Sequence, residues 1–211
     1  MTFSRRQEWV KENLCRDLLS VAGKEGRDVY DLINESAAES PIGARKLLFN
    51  PSFEGGSSQE ASPHIRGAFL RIDLGHSRCD ILRSCMEGIA MNLGIVLDVL
   101  RGFCSLCKEM LFVGDGSTSE LWRRIIADAY NMNILKTNIG RDTGSLGAAA
   151  LAAVESGLWG DFSRIDDIHK IQEVVRPIPA HVKKYKKLRP AFEQARASQA
   201  ALGDLLHGIE L

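Results

Sequence analysis

The sequence predicts an α/β fold, and three observations point to it. Two short apolar runs, residues 110–113 and 132–135, each lead through a glycine-bearing turn toward a helical stretch. A long helical pattern with a wide apolar stripe stands just before them, at residues 78–101. Strands that alternate with helices in this way build helix-covered sheets.

From the N-terminus, residues 4–21 read as one helix, with Trp9, Val10, Leu14, Leu18 and Val21 near one stripe. Gly23 and Gly26 end it. Residues 28–39 read as a shorter helix, broken by Pro41 and Gly43, and residues 46–49 as a short strand. Residues 50–66, NPSFEGGSSQEASPHIR, hold two prolines, two glycines and four serines, which predicts a loop long enough to be functional. Residues 67–72 read as a strand. The helix at 78–101 presents Leu82, Cys85, Met86, Ile89, Leu93, Val96, Leu97 and Leu100, a stripe wide enough to pack on a sheet.

The first glycine corner, Gly114-Asp115-Gly116-Ser117, opens an amphipathic helix. The second, Asp142-Thr143-Gly144-Ser145-Leu146-Gly147, opens an alanine-rich helix at 148–153. Beyond Trp159, residues 162–170 predict a helical turn and 172–175 an extended run. Pro177 and Pro179 mark a break. Residues 180–207 read as helix in two pieces divided at Pro190. Lys183, Lys184, Lys186, Lys187 and Arg189 in that region read as a solvated face rather than a phosphate-binding patch.

A chain of 211 residues can bury a core as one domain or as a domain with appendages. Its 45% hydrophobic and 26% charged residues are ordinary for a soluble protein. A formal net charge of +0 argues against a general nucleic-acid or membrane-surface binder. No apolar run approaches a membrane span, and the N-terminus is mixed in charge and unlike a secretory signal. A cytoplasmic location is expected. The five cysteines are scattered and odd in number, so no disulfide framework is read. Cys104 and Cys107 form one CxxC, but no second pair or spaced histidines follow to complete a zinc site. The pair follows a helix rather than a strand, unlike a thioredoxin-type motif. It is expected to be half-buried in a loop.

Glycine at a strand-to-helix turn lets the backbone approach a ligand, and unpaired N–H groups at a helix start favour anions. Two such corners in succession suit a nucleotide. Neither GxGxxG after the first strand nor GxxxxGK[ST] occurs, so dinucleotide and P-loop fingerprints are not met. On spacing alone, two ordinary strand-to-helix connections are the favoured account of the pattern.

Three stretches resemble the C-terminal domain of the FGGY carbohydrate kinases, most closely xylulokinase-like members. The first is GAFLRIDLGHSRCDILRSCME at 67–87, where Gly67, Phe69, Ile72, Asp80, Ile81, Ser84, Met86 and Glu87 fit a family signature. Arg71 stands where that family usually has glycine, and Cys85 replaces a small or aliphatic residue. The second, FVGDGSTSELWRRIIADAYNMNI, is similar to GGGSxSxxWRQIIADxxxxxI. The third, DTGSLGAAALAAVESGLW, is similar to [DE]-G-A-L-G-A-A-x-L-A-x-x-G-x-W.

The resemblance implies a partial ribonuclease-H-like domain of the actin-like ATPase superfamily with extra helices. A helical segment would occupy 1–45, the incomplete nucleotide-binding core 46–160, and a helical tail 161–211. It implies that Gly114, Gly116 and Ser117 line the adenosine and phosphate side of an ATP cleft. Gly55 and Gly56 would approach the phosphates. Gly144 and Gly147 would let the last helix pack close to the first corner, and Trp122 and Ile126 would support it as core residues. ATP is the implied cofactor, with Mg2+ bound mainly by parts outside this chain.

Asp115 departs from the family glycine. A carboxylate beside phosphates is repulsive unless it faces solvent or pairs with Arg123 or Arg124. The GGSSQ of the loop also departs from the commoner GER-x-P. The chain resembles only the later part of the kinase's second domain. The family's catalytic aspartate and sugar-binding domain lie upstream of the matched region, and Asp73, Asp80 and Asp142 do not replace that aspartate, so no catalytic residue is assigned. The parent activity implied is ATP-dependent phosphorylation of a sugar or polyol, with these residues alone inactive. Missing first strands would leave a sheet edge beside 110–113, predicting poor solubility, dimerisation, or dependence on a complementing N-terminal half. A non-catalytic nucleotide-binding remnant is the principal rival, and a helical protein with a redox CxxC a weaker one.

Overall fold

The computed structural model describes residues 3–56, 60–140 and 142–210. Ser57, Ser58 and Gln59 of the GGSSQ stretch lie outside the described residues. In chain order the elements are α1 (Phe3–Leu14), α2 (Arg16–Glu25), α3 (Val29–Ala38), β1 (Leu48–Asn50), β2 (Ala68–Leu70), α4 (Arg78–Phe103), β3 (Glu109–Leu111), α5 (Glu120–Tyr130), β4 (Asn133–Thr137), α6 (Thr143–Glu155), α7 (Arg164–Ile168), β5 (Ile171–Val175) and α8 (Pro179–His207). Short 3-10 turns occupy Ala44–Lys46 and Asp115–Thr118. The chain forms two units, one from residues 1–106 with 179–211, the other from 107–178.

In the first unit, β1 and β2 pair antiparallel with Phe49 opposite Phe69, and α4 packs on β1. Only the first half of the α4 stripe covers this hairpin: Leu82, Met86 and Ile89 are buried with Phe49 and Ile65, while Leu93, Val96 and Leu100 further along are exposed. The start of α4 is fixed by a capping box, in which the Asp80 carboxylate accepts from the Ser77 N–H at 2.8 Å and the Ser77 hydroxyl at 2.9 Å. Ser40 donates to the other Asp80 oxygen at 2.7 Å. Two turns further, Glu87 is buried and accepts from Arg83 Nε at 2.7 Å, the Tyr185 hydroxyl at 2.8 Å and the Gly43 N–H at 3.0 and 3.1 Å. The acidic residues of the signature stretch therefore fasten the fold.

Several boundaries differ from the sequence reading. The helix expected at 4–21 is two helices parted at buried Cys15, and Gly23 lies inside α2. Gly26 is the left-handed cap that ends α2. The strand expected from residue 46 begins at Leu48, because Ala44, Arg45 and Lys46 all carry positive φ in a tight turn. The β2 strand stops at Leu70 because Arg71 takes φ 68°. That is a glycine-type conformation, which accounts for the family glycine at this position. The α8 helix runs unbroken through Pro190. Pro190 and Lys186, whose carbonyl loses its helical partner, are both exposed, so water can take that role. Cys104 and Cys107 lie beyond α4 as expected, but are exposed rather than half-buried.

In the second unit the sheet order is β3-β4-β5. β3 and β4 are parallel, with Met110 opposite Ile134, and β5 runs antiparallel to β4. The α5 helix lies across the sheet, burying Trp122, Ile125, Ile126 and Tyr130. β3 is an edge strand of this sheet among the described residues.

Candidate functional site

Both glycine corners sit beyond the carboxyl ends of parallel strands, where ligands bind in open α/β sheets. The Phe112 N–H still donates to the Leu135 carbonyl at 3.0 Å, extending the ladder past β3. The chain then turns at Gly114, whose φ of 85° and ψ of −176° fall in a region open essentially to glycine alone. Its N–H donates to the Gly140 carbonyl at 3.1 Å, and the Thr143 hydroxyl donates to the same carbonyl at 2.8 Å. One acceptor thus joins the two corners. A side-chain carbon placed on Gly114 would meet open space.

The first corner is stiffened from within. Ser117 is buried, and its N–H and hydroxyl both donate to the Gly114 carbonyl, at 3.0 and 2.7 Å. Gly116 lies in the same 3-10 turn with an ordinary negative φ. Ser119 then caps α5 by accepting from the Trp122 N–H. Arg123, buried on α5, donates to the Ser117 carbonyl at 2.6 Å and pairs with Glu173 of β5 at 3.0 Å. Sequence reasoning offered Arg123 only as a partner for Asp115; its pairing with Glu173 of β5, 50 residues away, is not something spacing reveals. Arg124 donates to the Arg176 carbonyl and pairs with Asp128. Asp115 is exposed to solvent.

Gly114, Gly116 and Ser117 are therefore brought together, with the second corner beside them. Trp122 and Ile126 are core residues, as expected. Gly144 and Gly147 do not have the close-packing role expected of them: an added side-chain carbon at either would meet nothing. The reason is that α6 buries only Ala150 and Ala153, and its first turns stand clear of neighbours.

Gly55 and Gly56 belong to the first unit. Here the glycines serve the loop's own closure. Gly55 has φ 102°, and a side-chain carbon on it would lie 2.6 Å from the Pro63 carbonyl oxygen. One on Gly56 would overlap the Ser62 carbonyl, and the Gly56 N–H donates to Pro63 at 3.2 Å. Among the described residues, no group of three or more His, Cys, Asp or Glu is placed to hold a metal ion. Nor is any helix long and apolar enough to cross a membrane.

Residues 5–156 match the C-terminal domain of the FGGY family of carbohydrate kinases. The chain is 32% identical over 163 residues to the xylulose kinase of Bacillus subtilis, covering 75% of this chain and 32% of that protein. It is 24% identical over 185 residues to the gluconokinase of Bacillus subtilis, covering 87% of this chain and 36% of that protein. Its fold superimposes on the ligand-bound xylulose kinase of Lactobacillus acidophilus with a TM-score of 0.78 at 25% identity, over 94% of this chain and 38% of that one. The chain thus spans about a third of the length of the relatives it matches, within an actin-like ATPase fold.

Proposed function

This chain belongs to the FGGY family of carbohydrate kinases, and we propose that it is the ATP-binding part of a kinase acting on a xylulose-like sugar or polyol. The observation that carries the reading is the joined pair of corners: Gly114 in a glycine-only conformation, tied to Gly140 and facing open space. In this reading the turn of Gly114, Gly116 and Ser117 lines the adenosine and phosphate side. The Gly55-Gly56 loop approaches the phosphates, and residues 46–160 are the nucleotide-binding core, flanked by 1–45 and 161–211.

Phosphoryl transfer needs a base at the sugar hydroxyl and a clamp on the γ-phosphate. No carboxylate here occupies the family's catalytic motif, so the 211 residues alone bind nucleotide without turnover. In this reading Mg2+ accompanies the nucleotide and is held mainly by residues outside this chain. A complementing half, on the same or another polypeptide, supplies the sugar site, and the location is cytoplasmic.

A second reading, a nucleotide-binding remnant without kinase activity, draws on Asp115, which replaces the family glycine. Calorimetry with ATP and ADP, joined to a coupled assay with xylulose and gluconate, tests both. The kinase reading predicts Kd on the order of 0.1–1 mM, about 4–5.5 kcal/mol, with no turnover until the complementing half is added. Failure to restore turnover with that half would favour the remnant. Absence of binding at millimolar nucleotide would defeat both.

A further inference from the structure

The last three turns of α8 hold the Glu60–Arg66 segment at four separate points, all within the first unit. Arg196 pairs with Glu60 at 2.6 Å, with both side chains largely buried. The Ser62 hydroxyl donates to Asp204. Gly203 lies so close to the backbone of His64 and Ile65 that a side-chain carbon on it would overlap the His64 carbonyl. The ring of His207 stacks on that of His64, with centroids 3.7 Å apart and planes inclined by 13°.

The held segment is the one on which the two loop glycines rest. Gly56 donates to the Pro63 carbonyl, and Gly55 and Gly56 are packed against Pro63 and Ser62. Glu60 also accepts from Ser52, just after β1, at 3.3 Å. Residues 196–207 lie outside the stretch that matches the family domain. Ion pair, hydrogen bond, close backbone approach and ring stack on one short segment restrict it in more directions than any one contact would.

We propose that the C-terminal end of α8 is a positioning clamp for the glycine loop: Arg196, Gly203, Asp204 and His207 set where Gly55 and Gly56 present their backbone. This rests on the reading of Gly55 and Gly56 as phosphate-approaching residues. The clamp acts through the loop and touches no nucleotide.

The test uses the full 211-residue chain with Gly203→Ala and, separately, Arg196→Met. Gly203→Ala forces helix and loop apart, because backbone meets backbone there. Arg196→Met keeps the stem and removes the charge. Hydrogen exchange in peptides covering 60–66 is measured without nucleotide, beside ATP affinity by calorimetry. Exchange across α3 and α4 serves as the folding control. The clamp predicts exchange at 60–66 faster by about tenfold, ATP affinity weaker by about three- to tenfold, and α3–α4 protection retained. Unchanged exchange at 60–66 in both variants overturns the clamp. Faster exchange with unchanged ATP affinity overturns its positioning role. If the wild-type chain binds no ATP, the reading beneath the proposal fails and the positioning role fails with it, a result distinguishable because it appears before any substitution is made.

Discussion

Replacing Glu87 by glutamine changes one oxygen to an amide nitrogen, yet it should be among the most damaging substitutions in this chain. The Glu87 and Arg83 side chains are only 2% and 6% exposed. Every group around the carboxylate is a donor: Arg83 Nε, the Tyr185 hydroxyl and the Gly43 N–H. Burial, with the neighbouring carboxylate, raises the Tyr185 phenol well above its ordinary value, so it stays a donor. Burial works to lower Arg83, but Glu87 outweighs it and keeps the guanidinium charged. Glutamine would leave that cation without a counter-charge and turn an NH2 toward donors. Removing one partner of a buried pair costs about 3–5 kcal/mol, a large share of the roughly 5–15 kcal/mol that holds a domain folded.

Urea unfolding measures the loss, and at a slope of about 2–3 kcal/mol/M the midpoint should fall by roughly 1–2 M. Hydrogen exchange in α4 and α8 reads the first unit by itself. Adding Arg83→Met removes the stranded charge, so the double variant should be more stable than Glu87→Gln alone, with a coupling of at least about 1 kcal/mol. A Glu87→Gln protein within about 0.5 kcal/mol of wild type would refute the argument.

Gly114→Ala should destabilise the second unit by about 1–3 kcal/mol through backbone strain alone, since space is open there. Gly116→Ala, at an ordinary φ, should cost less, as thermal melts will show. Asp115→Gly should tighten ATP binding roughly threefold in calorimetry at low ionic strength, with the gain shrinking as salt rises. For Asp80, burial works to raise the carboxyl, but the Ser77 N–H and the Ser40 and Ser77 hydroxyls outweigh it, helped by Arg45, and hold it below the ordinary value of 3.8. Its stabilisation is therefore present at neutral pH and is lost as pH falls through about 4 and below. Asp80→Asn should flatten the acid limb of the stability profile; an unchanged limb would remove Asp80 as a cause.

Legibility in the sequence followed range of interaction. The α4 and α5 helices were visible because their apolar faces repeat at helical spacing. The corners were visible because glycine at a strand end has few other uses. The break at Cys15 was hidden because the stripe runs on across it, and burial of Cys15 is a tertiary fact. Pro190 looked like a break because proline removes a hydrogen bond, but an exposed carbonyl has water. The Arg123 brace joins residues 50 apart, and the α8 clamp joins residues as much as 143 apart, so neither leaves a local pattern. At Gly144 and Gly147 the motif resemblance implied close packing that the exposed first turns of α6 do not provide.

The central claim is that the two joined corners form one wall of a nucleotide site. Backbone amide NMR of the isotope-labelled chain, titrated with ADP, tests it most directly. The account predicts the largest shift changes at Gly114, Gly116 and Ser117 and beside Gly140, growing together with one affinity. Shift changes confined to other segments, or no change at the corners up to millimolar ADP, would contradict it.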